Sequence, residues 1–307
     1  MHVLITGGAG FIGSHLAKAL LQRDYQVTVL DIIPRENALR LKPIINKINY
    51  RWQSVFDIHD LAGYDFVCHL AAMADVPYAM NSPFDTVYQN VMGTLVMLEA
   101  LRRSSYTKRF ILTSSEAAYG SAKAEELPVK ETQVFRPKNP YDVSKASSDL
   151  MTQAYYRGFR CPTVVARSSA NFGPYMRLKQ ALSIFLTQAL KGEPITVEGG
   201  DQTRDWVYVD NFVDGIIKIL ECPQDISGEA FNLGTGRELT ILEVAKKCNE
   251  IVGGKSEIKV LPYRGGEKGV RVCFDINKAK VLLEYEPKVS FEEGLFRTVE
   301  WMKTVVC

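Results

Sequence analysis

The chain has 307 residues, 46% of them hydrophobic and 23% charged, the profile of a globular protein rather than a disordered or fibrous one. Its 37 basic and 35 acidic residues leave a formal charge of +2, which offers no broad field to nucleic acid and favours a small-molecule partner. No run approaches the ~18 to 20 apolar residues of a membrane span, and the six cysteines show no CxxC pair and no metal-like spacing. A cytoplasmic protein without membrane, metal or disulfide framework is therefore expected.

In chain order, His2-Val-Leu-Ile-Thr6 reads as a strand, Gly7-Gly-Ala-Gly10 as a turn, and Phe11 to Arg23 as a helix. Further strands are predicted at Gln26 to Asp31, Asp65 to Ala71 and Arg109 to Ser114, with helices at Pro83 to Arg103 and Tyr141 to Tyr156. The strands are continuously apolar, as in parallel sheets covered on both faces. Strands alternating with helices predict an α/β fold, a Rossmann-type doubly wound parallel sheet. After Cys161 to Arg167 glycine and proline become frequent, and helices are expected at 177 to 190, 211 to 221, 240 to 252 and 291 to 304. This predicts a dinucleotide-binding domain over 1–170, with a return near 231–236, and a smaller mixed α/β substrate-binding domain over 171–307.

The stretch from Thr6 to Gly13 contains G-x-G-x-x-G as Gly8, Gly10 and Gly13, and equally G-x-x-G-x-x-G as Gly7, Gly10 and Gly13. Residues without Cβ let the backbone turn sharply and approach a pyrophosphate, whose charge meets free amides at the helix N-terminus. Asp31 ends the second strand, where a carboxylate accepts hydrogen bonds from ribose hydroxyls and repels a 2′-phosphate. The expected cofactor is NAD rather than NADP. Tyr141 and Lys145 are four residues apart and share a helix face. A lysine so placed lowers the phenol's pKa, which makes a base usable near neutrality. Ser115, at the end of a strand, can present its hydroxyl to the same substrate oxygen.

On these motifs the chain resembles the extended short-chain dehydrogenase/reductases, and among them the nucleotide-sugar epimerases and 4,6-dehydratases. The likeness extends over His69-Leu-Ala-Ala72, Asn90-Val-Met-Gly-Thr94, Asn171-Phe-Gly-Pro174, Arg204-Asp-Trp206 and Gly234-Thr-Gly236. The resemblance implies that Phe11 and Ile12 belong to the dinucleotide loop, that Asp57 and Ile58 flank the adenine, and that Ala71, Ala72 and Asn90 lie along the cofactor. It implies that Asn171, Arg204 and Arg264 face the nucleotide diphosphate of the sugar, guanidinium forks being suited to phosphate oxygens. It also implies a homodimer built on the helices near 83 to 103 and 141 to 156.

Both reactions of the group start with Tyr141 removing the 4-hydroxyl proton while Ser115 bonds the developing carbonyl oxygen. A 4-epimerase then returns the hydride to the other face. A 4,6-dehydratase also needs an acid and a base beside the serine, and its members resembling this chain carry adjacent Asp and Glu there. Glu116 fills the acid position, but Ala117 leaves the base position empty. The leading expectation is a UDP-glucose/UDP-galactose type 4-epimerase, with Glu116 a further catalytic candidate. The alternatives are a dehydratase, another enzyme acting through a 4-keto sugar, or a non-catalytic NAD-binding sensor.

Overall fold

Where apolar residues run without interruption, both faces of the resulting strand are buried. In β1 (His2–Thr6), Val3 and Ile5 join one core while Leu4, between them, joins the other. The computed structural model describes residues 1–263 and 268–306; Arg264 lies outside the described residues. β1 is flanked by β2 (Gln26–Asp31) and β4 (Phe66–His69), with β3 (Asn49–Trp52) beyond β2, and β5 (Arg109–Ser115) and β6 (Thr163–Ser168) beyond β4. The strand Ala230–Leu233 completes a seven-stranded sheet beside β6, and every pairing in it is parallel. This is the expected doubly wound Rossmann-type sheet. Its order reverses between β1 and β4, and the crevice at their carboxyl ends is where such sheets take ligands.

The helices Phe11–Leu21 and Val209–Glu221 pack together on one face, through a core that holds Leu16, Leu20, Phe212 and Ile216. Gly93–Arg103 and Pro140–Phe159 cover the other face, with Met97, Leu98 and Tyr155 buried against Val67, Phe110 and Leu112. Residues after 170 therefore return to the sheet twice, as the helix Val209–Glu221 as well as the expected strand near 231. The remaining chain forms small two-stranded pairings, Ala170–Phe172 with Trp206–Tyr208 and Ile195–Glu198 with Ile258–Leu261, and the helices Ala181–Leu190, Ile241–Ile251 and Phe291–Val306.

Three local expectations need correction. The helix expected from 83 to 103 is interrupted by a π-helical turn at Tyr88–Met92, a widening often found at functional sites. There Asn90 is buried and bonds the backbone of Met73, which a regular apolar period does not reveal. The helix expected from 177 starts at Ala181, because the side chain of Ser183 bonds the backbone at Arg177 and Gln180. β3 and the short helix Asn277–Leu283 were not anticipated. Asn49-Tyr-Arg-Trp52 lies at the sheet edge, half-exposed, and lacks the apolar run of its neighbours.

Candidate active site

A cleft of about 810 Å³ opens along the carboxyl ends of β1, β2, β4 and β5 and extends under the 168–206 region, a size that suits a small-molecule ligand. Its floor is the glycine loop. Gly7 has φ +68°, and a Cβ there would lie 2.7 Å from the Ala71 nitrogen. At Gly13 a Cβ would meet the Gly7 oxygen at 2.5 Å. Only glycine lets strand, loop and helix come this close, which keeps the amides of the Phe11–Leu21 N-terminus at the cleft. Gly10, Phe11, Ile12, Ala71 and Ala72 line the cleft with them. Asp31 lines it too; one carboxylate oxygen accepts from Ala9 N at 2.9 Å and the other from Ile33 N at 3.1 Å.

The resemblance placed three more residues along the cofactor, and these do not line the cleft. Asp57 closes the capping box of the turn Val55–Asp57 by accepting from Ser54 N. Ile58 is buried against Leu30, Val55 and Val67. Asn90 also donates to Ser144 Oγ at 2.8 Å, so its work is to hold the loop at Met73. Gln53, Ser54, Val55 and Gln89, by contrast, reach the wall. Sequence reasoning missed them because β3, which delivers the first three, has no apolar signature.

Ser115 ends β5 and caps the following turn, its Oγ accepting from Ala117 N at 3.2 Å. Tyr141 and Lys145 occupy the first turns of Pro140–Phe159, a helix begun by Asn139, whose side chain accepts from Asp142 N, and by Pro140 at its first position. All three line the same cleft. Burial pushes the Tyr141 phenol up to about 12, and a hydrogen bond with Ser115 works against that rise. Burial also brings Lys145 down to about 8, opposed by the carboxylate of Asp149, and its Nζ donates to Thr113 O at 2.6 Å. His69 stays a neutral core residue, lowered to about 3 by burial and then by Lys145, with its ring nitrogens bonded to Thr6 and Thr94.

Glu116 and Arg204 come from distant parts of the chain and meet in the cleft wall, Arg204 Nε lying 3.6 Å from Glu116 Oε1. Burial raises the Glu116 carboxyl to about 7; Arg204 opposes the rise, while Asp205 and Asp142 add to it. Its Oε2 is buried without a partner among the described residues. Arg204 also donates to its neighbour's carbonyl, Thr203 O, at 2.9 Å. Asn171 lines the cleft, donates to Ser168 Oγ and Ser169 O, and has a buried Oδ1 without a partner among the described residues. Arg177 and Lys179 also reach the cleft; nothing in the sequence marks them for it, because 177 to 190 reads there as one helix. Among the described residues no cluster could hold a metal ion, and no helix is long and apolar enough to cross a membrane.

Residues 4–298 match the family described as GDP-mannose 4,6 dehydratase. The dTDP-glucose 4,6-dehydratase of Streptomyces niveus is 35% identical over 99% of this chain and 93% of its own. Among solved structures, UDP-glucose 4-epimerase from Thermotoga maritima with UDP-glucose superposes with a TM-score of 0.90, at 33% identity and over 100% of both chains. UDP-glucuronic acid 4-epimerase from Bacillus cereus, in complex with UDP-glucuronic acid and NAD, gives 0.91 at 30% identity over 99% of this chain and 100% of its own.

Proposed function

The chain belongs to the extended short-chain dehydrogenase/reductases, in the group of nucleotide-sugar epimerases and 4,6-dehydratases, and on that premise we propose that it is an NAD-dependent nucleotide-sugar 4-epimerase of the UDP-glucose/UDP-galactose type. The observation that carries this reading is the convergence of Ser115, Tyr141 and Lys145 on one cleft, with Ala117 where a second acid–base side chain would be required.

The glycine loop fits a dinucleotide, since a Cβ at Gly7 or Gly13 would strike the backbone of Ala71 or of the loop itself, and only glycine keeps the amides of the helix N-terminus this close to the cleft. Asp31, with both oxygens already oriented by backbone amides, suits the ribose hydroxyls of NAD. NAD, when bound, supplies a reversible hydride acceptor for the sugar's C4. The protein handles the proton. Tyr141 accepts it from the 4-hydroxyl, Ser115 hydrogen-bonds the oxygen as it becomes a carbonyl, and the Lys145 ammonium stabilises the phenolate. With its phenol at about 12, Tyr141 needs positive charge nearby to act near neutrality; Arg177 already lowers it, and Lys145, at about 8, still carries its charge at pH 7. Epimerisation then needs only that the 4-keto sugar turn over within the cleft before reduction. The proposed diphosphate contacts are Arg204 and Arg264, with Asn171, which lines the same cleft, joining them once its amide group turns away from Ser168 and Ser169. The apolar residues Phe84, Tyr88, Met92, Val143 and Leu150, exposed on the two long helical segments, support a homodimer.

Glu116 supports a second reading. A carboxyl raised to about 7 retains a proton near neutrality and could protonate a departing C6 hydroxyl, as a 4,6-dehydratase requires. Incubation with a panel of UDP-, dTDP-, GDP- and CDP-hexoses followed by NMR separates the two. Inversion at C4 without loss of water is expected; a 4-keto-6-deoxy sugar would establish the dehydratase instead.

A further inference from the structure

Glu116 puts a carboxylate in the cleft wall next to Ser115, and a sugar bonded to Ser115 through its 4-oxygen, as read above, carries its C5 substituent one atom from that point. Glu116 follows Ser115 directly in the chain, lines the same cleft, and lies near enough to Tyr141 for their charges to interact. One oxygen faces Arg204 at 3.6 Å; the other, Oε2, is buried and accepts from no group among the described residues. A buried acceptor without a donor costs free energy, which is recovered when the carboxylate turns to meet a ligand hydroxyl. A sugar with a hydroxymethyl arm brings such a donor. A sugar with a carboxylate arm brings none, and sets a second anion against Glu116 in a site screened from water, where like charges interact strongly. Arg204 offsets this only in part, because its Nε already faces Glu116, the same guanidinium donates to Thr203 O, and on the reading above its remaining donors meet the diphosphate.

We propose that Glu116 is a specificity determinant that admits nucleotide sugars with a neutral, hydroxyl-bearing arm at C5 and refuses hexuronates. The proposal rests on the nucleotide-sugar reading above but not on which reaction follows C4 oxidation. The groups facing Glu116 are Arg204, Asp205, Asp142 and Tyr141, and together with burial they hold its titration near neutrality. Discrimination therefore strengthens as pH rises and Glu116 ionises, since a hexuronate is already an anion throughout this range.

The test is calorimetric titration of the NAD-loaded protein with UDP-glucose and UDP-glucuronate, and with the corresponding dTDP sugars, at pH 6 and pH 8. The hexose is expected to bind at least tenfold more tightly than the hexuronate at pH 8, with a smaller ratio at pH 6. In Glu116→Gln the ratio should fall by tenfold or more and lose its pH dependence, a change that a merely structural role would not produce. Equal or tighter hexuronate binding by the wild type, or an unchanged ratio in Glu116→Gln, overturns the proposal. Loss of water from the hexose would overturn the epimerase reading and leave this one standing.

Discussion

Behind the catalytic helix, Asp149 and Arg167 form an ion pair almost wholly out of water, at 0% and 2% exposure. The contact is bidentate, Nε to Oδ2 at 2.9 Å and Nη2 to Oδ1 at 3.0 Å. Arg167 further donates to Tyr119 Oη at 2.6 Å and Glu131 O at 2.8 Å, and lies over the rings of Tyr119 and Phe135. Replacing Asp149 with Asn keeps the volume but leaves a buried guanidinium without its counter-charge, a loss of about 3–5 kcal/mol. At about 2.1 cal/mol/K per residue, the unfolding entropy of 307 residues is roughly 0.6 kcal/mol/K, so Tm falls by about 5–8 °C. The assay is thermal unfolding followed by circular dichroism at fixed protein and NAD concentrations. Because most of this cost is the stranded charge rather than the lost attraction, Asp149→Leu combined with Arg167→Met should recover at least half of the loss. A Tm change below 1 °C in Asp149→Asn, or a double variant less stable than the single one, would refute the reasoning.

Tyr141→Phe removes the proton acceptor and should lower kcat by about 10²–10⁴-fold while cofactor affinity, measured by NAD titration, changes little. Gly13→Ala drives a Cβ to 2.5 Å from the Gly7 oxygen; the loop must shift, and NAD affinity measured by calorimetry should fall at least tenfold. Lys145 loses its charge as pH rises through about 8, so kcat/KM should decline above that pH, and Asp149→Asn should move the decline to lower pH because Asp149 favours the ammonium. For Glu116 the folded-state pKa lies above the ordinary carboxylate value, at about 7, so between the two values the folded state binds more protons and stability falls as pH rises. Glu116→Gln should therefore raise Tm relative to wild type at pH 8 and not at pH 4; the reverse order in a pH series of melting curves contradicts the burial argument.

The features legible in the sequence were those written within one or two adjoining elements. The strand, glycine loop and helix from His2 to Leu21 need only local spacing, and so do the shared face of Tyr141 and Lys145 and the carboxylate ending β2. Contacts set by the tertiary fold were not legible. Nothing at Glu116 or Arg204 announces that they meet, and the burial of the carboxylate follows from packing between the 168–206 region and the end of β5. Asn90 carried a recognisable motif, but the π-helical turn aims it at Met73 and away from the cleft lining. β3 escaped because an edge strand needs no apolar run, and with it went Gln53, Ser54 and Val55.

The central claim is that hydrogen leaves C4 and returns to C4 without chemistry at C5 or C6. Incubating the NAD-loaded enzyme in D₂O with UDP-glucose, unlabelled in one reaction and deuterated at C4 in another, and following both by NMR tests it directly. The account predicts UDP-galactose in both, with the original label kept at the inverted C4 and no solvent deuterium at C5. Transfer of the label to C6, solvent deuterium at C5, or a product lacking the C6 hydroxyl would contradict it.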